Sequence, residues 1–67
     1  MGGKIMHPLE EEIQAIVEAY NQGQISADER NYLLTEIRDI KAANECANNE
    51  QMFRYLVQVC NAGMGLV

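Results

Sequence analysis

The sequence predicts an all-α fold: an antiparallel helical hairpin followed by a third, strongly apolar C-terminal helix. Three observations point there. Apolar residues recur at helical spacing from Leu9 onward. The stretch GQISADER, residues 23–30, places a helix stop and a helix start between two such runs. The last part of the chain carries Met52, Phe53, Tyr55, Leu56, Val57, Val59, Cys60, Met64, Leu66 and Val67, around a helix rather than along one side of it.

The first helix is expected over about residues 8–21. Pro8 suits a first helical position because it has no amide to leave unsatisfied. Glu10, Glu11 and Glu12 then place negative charge by the positive end of the helix dipole. Leu9, Ile13, Ile16, Val17 and Tyr20 form its apolar stripe. Gly23 follows the last periodic residue, where a helix end favours a left-handed backbone that glycine adopts at little cost. Ser26 and Glu29 are spaced as a capping box, in which each side chain serves the other's backbone amide. Ile25 is an apolar plug between the two caps. A connection this short favours an antiparallel neighbour.

The second helix is expected over about residues 27–47, with Leu33, Leu34, Ile37, Ile40 and Ala47 on its buried stripe and Arg38, Asp39 and Glu45 outside. At Asn48-Asn49 the pattern changes, because a straight continuation would bring Asn44 and Gln51 into the stripe. An Asn cap followed by Glu50 starts a third helix instead, over about 49–62. A continuous helix over 27–61 is the alternative. Glu50 and Arg54 form an i, i+4 pair of the favourable polarity, and Gly63 is placed to close this helix. Residues 1–7 read as a flexible leader and 8–67 as one small helical domain.

With 67 residues, the chain buries only roughly 60% of its unfolded surface. One core of this size seldom supplies more than about 3–5 kcal/mol net. An apolar third helix therefore points to a partner chain, and the expected seam consists of Met52, Phe53, Tyr55, Leu56, Val59, Cys60 and Met64.

The net charge is −5, with five basic residues scattered among ten acids. No basic patch is present to neutralise a phosphate backbone, so nucleic-acid binding is not expected. Cys46 and Cys60 are not arranged as CxxC, so neither a zinc site nor a redox motif is indicated. With no secretory signal pattern at the start, free buried thiols in a reducing, cytoplasmic setting are expected. No run reaches the ~20 apolar residues that span a bilayer.

The residues that could carry chemistry have plainer explanations. The glutamate triplet is a dipole-favouring first turn and lacks the alternating oxygens and central glycine of a calcium loop. His7, the only histidine, precedes a helix start. Tyr20, Tyr32, Phe53 and Tyr55 lack the interleaved basic residues of a base-stacking surface and read as core or interface aromatics. No catalytic, metal-binding or cofactor-binding set emerges, and an enzyme is not expected.

The segment AIVEAYNQGQISADERNYLLTEI, residues 15–37, resembles the short helical hairpin of SHOCT-type domains. The resemblance rests on Gly23, the Ile25-Ser26 pair, Glu29 and Leu33-Leu34. It departs where Arg30-Asn31 precede Tyr32, a place where that family has an aromatic directly after the paired acids. The resemblance implies a small association module without catalytic residues. The chain as a whole is also similar in style to short reading frames of tailed bacteriophages that encode helical assembly proteins, which implies a virion or host-cytoplasm setting. The function expected is thus a non-enzymatic association or assembly module, self-associating as a homo-oligomer or docking another protein. The alternative is a small acidic regulatory inhibitor or adaptor that binds a partner protein.

Overall fold

A computed structural model describes residues 7–66 of the chain, which form three helices and no strand. The first, α1, is Pro8–Asn21. The second, α2, runs over 27–45. It comprises α-helical Ala27–Glu36 and Ala42–Glu45 joined by one π turn, Ile37–Lys41. The third, α3, is Glu50–Gly63. Residues 1–6 of the expected leader, and Val67, lie outside the described residues.

Each helix begins on a side-chain cap. The His7 imidazole accepts the Leu9 amide at 3.0 Å, with Pro8 at the first helical position. His7 thus satisfies one of the donors a helix start leaves open. Ser26 Oγ accepts the Glu29 amide at 3.1 Å. Only this arm of the capping box is formed, and the Glu29 side chain stays in water. Asn49 Oδ1 accepts the Met52 amide at 3.0 Å, so the chain breaks after Glu45 and restarts at Glu50.

Two helices end on the same glycine device. At the end of α1 the Gly23 amide reaches the Tyr20 carbonyl at 3.0 Å, and the Gln24 amide reaches Ala19 at 2.9 Å. This crossed pair needs a left-handed residue between the donors, and Gly23 supplies it with φ of 77°. At the end of α3 the Gly65 amide bonds Ala62 at 3.1 Å and the Leu66 amide bonds Asn61 at 2.8 Å. Gly65, with φ of 81°, is the left-handed residue there. Gly63 does not close α3, contrary to the expectation from sequence. It is helical, and a Cβ on it would lie 3.0 Å from both Leu34 Cδ1 and Val17 Cγ2. Its missing side chain lets the three helices approach one another.

The core consists of Leu9, Ile13, Leu34, Ile37, Ala42, Cys46, Leu56, Cys60 and Met64. Ile16, Val17, Met52, Phe53 and Val59 pack against it half-buried. The π turn decides which α2 residues join. The Ala42 amide bonds the Ile37 carbonyl five residues back, so one extra residue enters that turn. The inward positions then run Leu34, Ile37, Ala42, Cys46, with a gap of five where an α-helix has three or four. Ile40 and Ala47, expected on the stripe, are turned outward and exposed.

Polar bonds tie the helices together around this core. Lys41 pairs with Glu12 at 3.2 Å, joining late α2 to early α1. Arg30 lies over the Tyr20 ring at 4.3 Å, joining early α2 to late α1. The same guanidinium donates to the Met64 carbonyl at 3.3 Å, a cation placed where the last carbonyls of α3 favour one. Arg38 donates to Asn61 Oδ1 at 2.8 Å, and the Tyr55 hydroxyl donates to Glu10.

Candidate interaction surface

The seven residues expected to form a seam on α3 divide in two. Leu56 and Cys60 are fully buried and Met64 is nearly so, all within a single chain. These three are covered by α1 and α2, because the half of α3 that carries them faces the other helices. Met52, Phe53 and Val59 keep part of their surface in water, and Tyr55 is exposed. Phe53 borders a shallow surface depression with Ala43, Cys46, Ala47 and Glu50. The capping residues Gly23, Ser26 and Glu29 lie together at the α1–α2 connection and are exposed.

Three large apolar side chains are more exposed than Tyr55: Leu66 just beyond α3, at 60%, and two on α2. Tyr32 is 67% exposed and Ile40 is 54% exposed. Both line one surface groove on α2, together with Thr35, Glu36 and Asp39. Residues four apart on a helix form a ridge, and here the ridge reads Asp28, Tyr32, Glu36, Ile40: acid, apolar, acid, apolar. Its first three members show this alternation in the sequence. Ile40 continues that spacing, but its i, i+3 spacing from Ile37 also assigns it to the inward stripe, and the structure places it outside.

Titratable groups follow local contacts. The Arg38 guanidinium, 2.9 Å from Asp39 Oδ1, holds the Asp39 carboxyl below its ordinary range and is itself raised by that bond. The hydrogen bond to Glu10 raises the Tyr55 hydroxyl. Burial pushes the Cys60 thiol up to about 11, the opposite of an activated nucleophile. Cys46 and Cys60 are free and buried. Among the described residues, no three His, Cys, Asp or Glu side chains converge as a metal site would require, and no helix is long and apolar enough to cross a membrane.

The four basic side chains of the described residues are all engaged inside the chain. Arg30, Arg38, Lys41 and Arg54 each hold a partner through Asn31 and Met64, Asp39 and Asn61, Glu12, and Glu50 respectively. Glu11, Glu18, Asp28, Glu29, Glu36 and Glu45 form no ion pair among the described residues. The unneutralised surface is therefore acidic. The chain matches no family model, no curated protein and no solved structure.

Proposed function

We propose that this chain is a non-enzymatic helical association module. In this reading α1 and α2 form an antiparallel hairpin that clamps the apolar inner face of α3. The module works by presenting its remaining apolar side chains to another protein. One observation carries the reading. The core closes within one chain, yet Tyr32 and Ile40 stay uncovered together in one groove. Apolar residues exposed singly are ordinary, whereas these two line the same groove and can be covered together by one partner. The closed core favours docking to a different protein, as an acidic adaptor would, over the homo-oligomer that an open α3 would have required.

The test is the stability of a double variant, Tyr32→Gln with Ile40→Gln. If these side chains serve association, the variant keeps the wild-type melting midpoint and helicity, within about 0.5 kcal/mol. Its solution mass by light scattering stays monomeric, as does that of the wild type. A loss matching that of a core substitution shows that Tyr32 and Ile40 serve the fold, and overturns the reading.

A further inference from the structure

We infer that the Tyr32–Ile40 groove on α2 takes a basic amphipathic helix from another protein. Its apolar side chains would lie between Tyr32 and Ile40, and its lysine or arginine side chains would reach Glu36 and Asp28. This inference rests on the association reading and names the partner's chemistry.

The groove itself sets the apolar half of the match. Tyr32 and Ile40 are eight residues apart on α2, about 12 Å along a helix at 1.5 Å per residue. That length spans two turns of a docked helix, which offers apolar residues at i, i+4 and i+7. Thr35 lies between them and keeps the floor small enough to admit a side chain.

Charge sets the other half and decides between a second copy and a different protein. Glu36 stands midway between Tyr32 and Ile40 and has no ion-pair partner among the described residues. If two copies packed α2 against α2 antiparallel about this point, each Glu36 would face its symmetry mate. Both chains carry a net charge of −5. Bringing like carboxylates together out of water is strongly unfavourable. All four described basic side chains are already engaged internally, so a second copy offers no described cation for Glu36. A basic helix supplies what the groove lacks.

The experiment titrates isotope-labelled protein with a synthetic helix-forming peptide made of leucine and lysine, with leucines at i, i+4 and i+7. Amide shifts are followed by NMR. The expected perturbations centre on Tyr32, Glu36 and Ile40. Glu36→Lys weakens the complex about tenfold, while Glu18→Lys on α1, which makes the same change in net charge, leaves affinity within about twofold. The same peptide with glutamate in place of lysine does not bind. Equal losses from the two variants mean that bulk charge drives binding, and overturn the site. So does the absence of binding at millimolar peptide. Perturbations centred on another face also overturn it but leave the association reading standing, because that reading falls only to the stability of the Tyr32/Ile40 double variant.

Discussion

The inner face of α3 and the outer ridge of α2 both carry apolar residues at helical spacing, yet they have opposite fates. Leu56 and Cys60 are wholly covered by the chain's own helices, while Tyr32 is 67% and Ile40 is 54% exposed. The flanking residues account for part of the difference. On α2, acids alternate with the apolar positions of the ridge, so burying it would desolvate Asp28 and Glu36. On α3, the turn from Leu56 to Cys60 and on to Met64 has no charged residue on its inner side. Apolar spacing alone therefore does not distinguish a core stripe from an exposed ridge, whereas the charges between the apolar positions do.

The largest expected effect breaks the α3 side of this comparison. Leu56→Ala removes a fully buried side chain, which costs about 2–5 kcal/mol. That is comparable with the roughly 3–5 kcal/mol that a core of this size seldom exceeds. Circular dichroism should show most of the helicity lost near room temperature. Retained wild-type stability would mean that α3 does not pack through Leu56.

The chemistry of Cys60 sharpens the same side. Raising its thiol from an ordinary 9.0 to about 11 cuts the thiolate fraction at neutral pH about a hundredfold. Alkylation of Cys60 in the folded chain should be slower by at least that factor than in denaturant. The unfolded chain gives up this proton near 9 and the folded chain only near 11. The resulting stabilisation is complete below pH 9 and is lost as pH rises through 11. The denaturation midpoint should fall across that window, and fall less in Cys60→Ala.

Gly63→Leu probes how closely the helices meet. With Leu34 and Val17 already 3.0 Å from a modest Cβ, a larger side chain forces α3 outward and costs about 1–3 kcal/mol. An unchanged midpoint in chemical denaturation would contradict that close approach. Ser26→Ala lies on neither face and calibrates the purely local contribution. Loss of its bond to the Glu29 amide should cost about 0.5–2 kcal/mol, and no measurable shift would show that α2 does not depend on that cap. The smallest effect on stability is expected on the α2 ridge, where Tyr32→Gln with Ile40→Gln changes the midpoint by less than about 0.5 kcal/mol.

The sequence by itself determined where the helices start and where α1 stops. Ser26 and Asn49 act through bonds to amides three residues on, Gly23 through a turn of six residues and Pro8 through its own ring, so their meaning is complete within a short window. The break before Glu50 was legible for that reason, and so was the inward stripe of α1 at Leu9 and Ile13. The tertiary structure decided the rest. The π turn at Ile37–Lys41 is a rare departure from the α pattern that local spacing predicts, and it lies where α2 packs against α1 and α3. Ala42 and Cys46 face inward there and Ile40 outward. Gly63 reads as a helix stop until two other helices are brought against it. The apolar face of α3 is likewise defined by spacing, but spacing records only that a face must be covered. Whether the cover comes from the same chain or another depends on how three helices fit together, which no local window contains.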